Sequence, residues 1–280
     1  GVGRAVRCRV LTVEMATPAH ATVAHAGGTL HYWTCGPAGA PWLALCHGGA
    51  LDHTGFVPVA AALADRWRVL LWDLPGHGES QPRPAPFTMD ACVAAFTAVM
   101  DAAGVERATL LGFSFGGVVA QLYAERHPER EHGLVAYSCL APHLMKLPIP
   151  PWSIRPFHWL LFGRHPWPKA RAKFAAMCSI RPDVQRSLEP AIDRLGEAGF
   201  AALVEAQYRV RGPVLLMHGD RDPHLRGLAR VAAAFRRAYP AVELAVIPGA
   251  GHCAHLDAPG EFTRALGEFL DRQIRPASPA

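Results

Sequence analysis

The stretch from Ala108 to Ala124 constrains the fold of this 280-residue chain more than any other. An apolar, β-forming run (108–113) ends in a Gly-x-Ser-x-Gly pentapeptide, and a helical pattern (118–124) follows directly. A serine hydroxyl lifted clear of a sheet edge requires a very sharp strand-to-helix turn, which only glycine at 112 and 116 accommodates. A glycine-rich turn around an ordinary serine is the alternative. The strand before Ser114 and the helix after it favour a nucleophile instead.

Strands and helices alternate along most of the chain, which predicts an α/β fold with a mostly parallel sheet flanked by helices. Two short N-terminal strands joined by Gly27-Gly28 predict a hairpin. Further strands are predicted at 42–46, 69–72, 108–113, 133–139, 214–218 and 242–247, and further helices at about 56–64, 89–103, 224–238 and 258–273.

Residues 141–212 interrupt this alternation. Seven prolines between 142 and 168 are followed by helical pieces, and no strand is predicted there. We interpret this segment as an inserted helical cap over the carboxyl ends of the strands. The core then has a first part at 15–140 and a second part at 213–275, and residues 1–14 are interpreted as upstream sequence.

Composition excludes several classes of function. The net charge is +5 and the pI is about 9.0, yet there is no basic helix and no nucleic-acid-binding motif, so no nucleic-acid partner is expected. No run of 18 apolar residues exists to span a membrane. Seven cysteines without short pairing indicate reduced thiols and a cytoplasmic protein. Neither CxxC nor His-rich spacing indicates a structural metal, and no cofactor is predicted.

A serine nucleophile needs a general base, and that base needs an orienting carboxylate. Such groups gather at the carboxyl ends of strands in open α/β sheets. Asp220 and Asp222 follow the predicted strand at 214–218, and His252 follows the one at 242–247. All three lie downstream of Ser114, which gives the chain order Ser, Asp, His.

Five short motifs together resemble the α/β-hydrolase superfamily over roughly residues 22–273. They are His47-Gly48-Gly49, Asp73-Leu74-Pro75-Gly76-His77-Gly78, Gly112-Phe113-Ser114-Phe115-Gly116-Gly117, Gly219-Asp220-Arg221-Asp222 and Gly251-His252. The chain is most similar to the capped branch that holds esterases, lipases, enol-lactonases and carbon–carbon bond hydrolases.

The resemblance implies a role for each matching residue. Ser114 would be the nucleophile, His252 the base and Asp222 the carboxylate that orients it, with Asp220 as the alternative orienter or a turn-capping residue. The backbone N–H groups of Phe115 and Gly49 would form the oxyanion hole. His47 and His77 are interpreted as residues that brace loops, and Cys253 shows no sign of activation.

The predicted cap combines positive charge with aromatic residues. Residues 141–212 hold eleven cations and five acids, so the excess positive charge of the chain lies there. We interpret the aromatics as packing onto the core, with the basic ends in water. Contact of this basic, aromatic cap with an anionic substrate or a membrane surface is the alternative. The predicted substrate-binding residues are Ala50, His53, His143, Trp152 and Trp159.

The sequence therefore predicts a cofactor-independent serine hydrolase. Its substrate would be a carboxylic ester, or a related acyl compound, of small size and apolar or aromatic character. Lactonase or carbon–carbon hydrolase chemistry with the same residues is the alternative within this class. A non-catalytic ligand-binding protein on the same scaffold is the alternative from another class.

Overall fold

A computed structural model describes residues 18–49, 51–84, 87–139, 178–188, 212–223 and 241–274, with isolated positions between 172 and 176 and between 233 and 237. Most of the predicted cap and the predicted helix at 224–238 lie outside these residues. The described residues form one eight-stranded sheet with helices on both faces, which confirms the predicted fold class.

The chain enters the sheet through an antiparallel hairpin. Strand β1 (Ala19–His25) pairs with β2 (Gly28–Cys35), and Ala26 and Gly27 form the turn with φ of 48° and 77°. Two successive positive φ angles are typical of a type I′ turn, whose twist matches that of the flanking strands.

The other six strands are mutually parallel. They are β3 (Trp42–Cys46), β4 (Arg68–Trp72), β5 (Ala108–Phe113), β6 (Glu131–Tyr137), β7 (Val214–Gly219) and β8 (Glu243–Ile247). The sheet order is β1-β2-β4-β3-β5-β6-β7-β8, with β2 antiparallel to β4. Because these six strands run the same way, the residues that follow their carboxyl ends meet along one edge of the sheet.

Six α-helices lie within the described residues. They are α1 (Val57–Leu63, preceded by a 3₁₀ turn at His53–Phe56), α2 (Met89–Ala102), α3 (Phe115–Arg126), α4 (Pro182–Leu188), α5 (Ala254–Asp257) and α6 (Pro259–Ile274). Helices α2 and α3 pack on one face of the sheet with Leu110, whereas α1 and α6 pack on the other face with Leu111. Neighbouring residues of β5 point to opposite faces, and all six of its residues are buried.

Two further findings concern the described residues as a group. None of the described helices has both the length and the apolar character of a transmembrane segment. The six cysteines within the described residues, Cys35, Cys46, Cys92, Cys139, Cys178 and Cys253, are free thiols.

Candidate active site

Ser114 forms the sharp turn between β5 and α3. Its φ of 51° and ψ of −115° lie in a region that non-glycine residues rarely adopt. A Cβ on Gly112 would lie 2.5 Å from the carbonyl oxygen of Gly116, and one on Gly116 would collide with the carbonyl oxygens of Cys46 and His47. Packing therefore requires both glycines of the pentapeptide.

Hydrogen bonds hold the backbone of Ser114 in this conformation. Its N–H donates to the carbonyl oxygen of Tyr137 at the end of β6 (2.9 Å), and its own carbonyl accepts from the N–H of Gly117 (3.0 Å). Helix α3 begins at the next residue, Phe115, so the positive end of the helix dipole lies beside the serine. Negative charge that develops here is stabilised by that end of the helix.

The loop after β3 packs closely against this turn. A Cβ on Gly48 would lie 2.7 Å from the ring of Phe113 and 3.5 Å from the Cβ of Ser114. Since no side chain fits between them, the backbone of the loop itself approaches the serine.

Two buried histidines fix the carbonyl groups of this loop. The Nε2 of His47 accepts the N–H of Leu74 (2.9 Å), so its proton is on Nδ1, which donates to the carbonyl oxygen of Gly48 (2.8 Å). The Nε2 of His77 lies 2.8 Å from the carbonyl oxygen of Gly49. Because a trans peptide points its N–H away from its C=O, holding the Gly48 carbonyl also fixes the direction of the Gly49 N–H.

Both histidines are held in the neutral form. Burial lowers the pKa of His47, and burial, followed by the proximity of His47, lowers the pKa of His77 to about 4. Their contacts are those of side chains that brace loops, which is the role predicted for them.

Two backbone donors at this turn have no acceptor within the described part of the chain. The N–H groups of Gly49 and Phe115 make no hydrogen bond there. Both residues are buried and flank Ser114, one on the loop after β3 and one at the start of α3. These are donors of the kind that a tetrahedral oxyanion requires, and the role of the two residues in an oxyanion hole stays a prediction.

Asp222 and His252 meet at the carboxyl ends of β7 and β8. The Nδ1 of His252 donates to Oδ2 of Asp222 at 2.9 Å, and the Asp222 side chain is completely buried. Asp220 is exposed and accepts the N–H of Ala250 (3.2 Å). The structure thus places the imidazole against Asp222, while Asp220 caps the neighbouring loop.

A tyrosine that was not singled out in the sequence supports the loop of His252. The hydroxyl of Tyr137 donates to the carbonyl oxygen of His252 (3.1 Å) and accepts the backbone N–H of His255 (3.0 Å). The Nδ1 of His255 lies 2.9 Å from the same oxygen. Burial lowers the pKa of His255 to about 3, so this ring is neutral. Tyr137 lies within the predicted strand 133–139, but no pattern in the sequence indicates its contacts.

Asp257 is a second residue that the sequence did not reveal. Its carboxylate accepts the N–H of Gly251 (2.8 Å), the hydroxyl of Ser179 and the N–H of Ile180 (3.3 Å). The N–H of Cys253 also donates to the carbonyl oxygen of Cys178 (2.7 Å). The segment at 178–181 is therefore fastened to the loop that carries the imidazole.

Phe113 is a neighbour of both Ser114 and His252. The ring centroids of Phe113 and His252 are 4.9 Å apart, and Phe113 directly precedes the serine. The hydrogen bonds of the described residues do not include one from the Ser114 hydroxyl to His252. A hydrogen bond between these two groups therefore stays a prediction; bonds of that kind are often long in enzymes without substrate.

The remaining predicted site residues are placed as follows. His53 packs its ring on Trp33, with centroids 3.4 Å apart, and its Nδ1 lies 3.0 Å from the buried carboxylate of Asp73. Its predicted contact with substrate stays a prediction. Burial raises the pKa of the Cys253 thiol, as expected for a cysteine that is not activated. Ala50, His143, Trp152 and Trp159 lie outside the described residues.

Comparisons with known proteins agree with this fold. Residues 43–265 match the model of the alpha/beta hydrolase family. The chain is 30% identical over 264 residues to a pimeloyl-[acyl-carrier protein] methyl ester esterase of Edwardsiella ictaluri, covering 86% of this chain and 97% of that protein. It is 28% identical over 255 residues to a 2-hydroxymuconate semialdehyde hydrolase of Pseudomonas sp. strain CF600, covering 83% and 87%.

A solved structure shares the fold. The enol-lactonase from Burkholderia xenovorans LB400 superposes with a TM-score of 0.72 at 22% identity, covering 90% of this chain and all 100% of that one. The family model spans well over half of the chain. The chain therefore belongs to the alpha/beta hydrolase family.

Proposed function

We propose that this hydrolase cleaves a carboxylic ester of a small, apolar or aromatic substrate through an acyl-enzyme on Ser114. The observation that carries the proposal is the buried hydrogen bond between His252 and Asp222, at the same sheet edge as the strained turn of Ser114. The curated relative from Edwardsiella ictaluri, named as a methyl ester esterase, supports the choice of an ester. The apolar or aromatic character of the substrate follows from the sequence of the predicted cap.

The mechanism assigns one task to each group. The Ser114 hydroxyl attacks the carbonyl carbon while Nε2 of His252 takes its proton, and Asp222 stabilises the imidazolium that forms. The N–H groups of Phe115 and Gly49 donate to the oxyanion. The protonated imidazole then gives its proton to the leaving alcohol. Water, deprotonated by His252, attacks the acyl carbon and releases the carboxylic acid and the free serine.

A fluorophosphonate probe tests the nucleophile directly. We expect stoichiometric labelling of the wild-type chain and none of Ser114→Ala. The matched control is Ser138→Ala, because Ser138 is also held at positive φ (44°) at the carboxyl end of the neighbouring strand. Labelling of Ser138→Ala should equal that of the wild type. A wild-type chain that is folded but unlabelled would instead favour a ligand-binding protein on this scaffold.

A second candidate uses the same residues on a different bond. Similarity to the 2-hydroxymuconate semialdehyde hydrolase of Pseudomonas sp. favours hydrolysis of a carbon–carbon bond, and lactone opening requires the same nucleophile and donors. Product analysis on matched esters, lactones and vinylogous diketones separates these reactions. The ester proposal requires the highest kcat/KM on esters, and a preference of more than about tenfold for another panel member would replace it.

A further inference from the structure

A group of three side chains with metal-ligand spacing lies away from the candidate active site. The Nε2 of His20 is 3.0 Å from the Nδ1 of His31, which is 3.2 Å from Oε2 of Glu79. The third side of this triangle, from His20 to Glu79, measures 3.9 Å. Of the residues the structure describes, this is the one group of histidine, cysteine and acidic side chains close enough to share an ion.

The triangle has the dimensions of a tetrahedral site. A zinc ion bound at about 2.1 Å separates its tetrahedral ligand atoms by about 3.4 Å. The three observed separations lie on both sides of that value. Two imidazoles and one carboxylate are also among the side-chain sets that bind zinc, with water in the fourth position.

The fold holds the three ligands in place before any ion binds. His20 and His31 project from the same face of the β1–β2 hairpin, where His20 pairs with Trp33 and His31 with Thr22. The N–H of His31 donates to the hydroxyl of Ser80 (2.9 Å), next to Glu79 in the loop after β4.

The loop that carries Glu79 is fastened on both sides. The backbone N–H of Glu79 donates to the carboxylate of Asp73 (2.8 Å). Two residues further on, Gln81 exchanges two backbone hydrogen bonds with Thr29 (2.9 and 3.2 Å). Preorganised ligands lose little conformational entropy on binding an ion.

The surroundings of the group also suit an ion. The ring of His20 stacks against those of both His31 and Trp33, with centroid distances of 5.1 and 4.9 Å. The side chains of His20 and Glu79 are 43% and 53% exposed, so an ion and its water have direct access. Three residues from separate segments do not produce the short spacing by which zinc sites are recognised in a sequence.

We propose that His20, His31 and Glu79 bind a divalent transition-metal ion of the zinc type. The ion links β1, β2 and the loop after β4, and so stabilises the edge of the sheet. The stack continues from His20 through Trp33 to His53, whose ring is bound to Asp73. The site is thus connected to the loop after Gly49.

Calorimetric titration of the chelator-treated full chain with Zn²⁺ tests the proposal. We expect one equivalent of Zn²⁺ to bind, with Kd raised at least about tenfold in His20→Ala and in Glu79→Gln. The control His132→Ala removes an exposed histidine elsewhere on the sheet and should leave Kd unchanged. Thermal denaturation gives an independent readout, because Zn²⁺ at about a hundredfold excess over Kd should raise the wild-type Tm by about 5 °C.

Co²⁺ in place of Zn²⁺ tests the geometry, since a four-coordinate site gives intense visible absorption. The absence of Zn²⁺ binding to the wild type would overturn the proposal. So would binding that is unchanged in the double variant His20→Ala/Glu79→Gln, because the ion would then bind elsewhere.

Discussion

Buried neutral histidines make the stability of this fold strongly dependent on pH. The pKa of His77 is about 4 and that of His255 about 3, both lowered chiefly by burial, while an unfolded chain titrates its histidines near pH 6.5. Between these values the unfolded state binds more protons than the folded one. Stability is therefore fully present above about pH 6.5 and falls as the pH drops toward the folded pKa values.

The size of the effect follows from these pKa values. From pH 7 to pH 5 each such histidine destabilises the fold by about 2 kcal/mol, so His77 and His255 together remove about 4 kcal/mol of the roughly 5–15 kcal/mol typical of a domain. His47, whose pKa burial also lowers, acts in the same direction.

Asp73 contributes to the pH dependence of stability below about pH 5, outside the interval from pH 7 to pH 5 in which the effect of the histidines is measured. Burial by itself would raise its pKa, but the hydrogen bond from His53, the proximity of His47 and two backbone N–H groups lower it below the usual value. Its stabilisation is present above its unfolded pKa of about 4 and is lost only as the pH falls through the lower folded value.

Urea denaturation followed by circular dichroism at pH 7 and pH 5 measures how much of the free energy of unfolding is lost between these two pH values. His255→Phe keeps an aromatic ring against Phe56, on which His255 stacks with centroids 4.5 Å apart, and should reduce the difference between the two pH values by about 2 kcal/mol. His132→Gln, at an exposed position, should leave it unchanged. A wild-type loss below about 1 kcal/mol, or an unaltered loss in His255→Phe, would refute the reasoning.

Two matched pairs of substitutions test the site and the turn. Asp222→Asn should lower kcat by about 10³–10⁴-fold with KM little changed, because His252 loses its orienting carboxylate. Asp220→Asn should lower kcat less than about tenfold. Equal effects of the two substitutions on kcat in steady-state assays would contradict this assignment. Gly116→Ala should destabilise the fold by more than about 2 kcal/mol, since the new Cβ meets two carbonyl oxygens, whereas Gly260→Ala meets open space and should change stability by less than about 1 kcal/mol. Chemical denaturation measures the stability of both variants. If Gly116→Ala proved as stable as Gly260→Ala, this account of the turn would be wrong.

Most strands could be predicted because their apolar runs are short and clearly bounded. Strand β3 has the predicted limits, and β4 begins one residue earlier than predicted. Strand β6 differs more: it spans Glu131–Tyr137 rather than 133–139. Glu131 is buried because its carboxylate accepts the N–H of Gly212 (3.0 Å), and the strand ends before Ser138, which has positive φ. Neither a partner 81 positions away nor a backbone angle is visible in a hydrophobic pattern.

The residues that carry the chemistry of the candidate site could be predicted from the sequence more readily than the residues that hold them in place. Ser114, Asp222 and His252 each follow a predicted strand, so topology alone brings them to one edge. Asp257 and Tyr137 act through contacts with distant backbone groups, and the four-residue helix α5 is too short to produce a periodic signal. Tertiary packing decided these features.

The carboxylate of Asp257 marks the point at which the chain after β6 is fastened to the loop of His252. Residues 178–181 are anchored to Gly251 and its neighbours through this side chain, through the hydrogen bond from Cys253 to Cys178, and through the guanidinium of Arg181, which donates to the carbonyl oxygen of Leu256 (2.8 Å). They support the loop that carries His252. We expect a chimera that replaces the residues between Cys139 and Cys178 with another sequence to keep these contacts and to lose substrate selectivity before it loses activity.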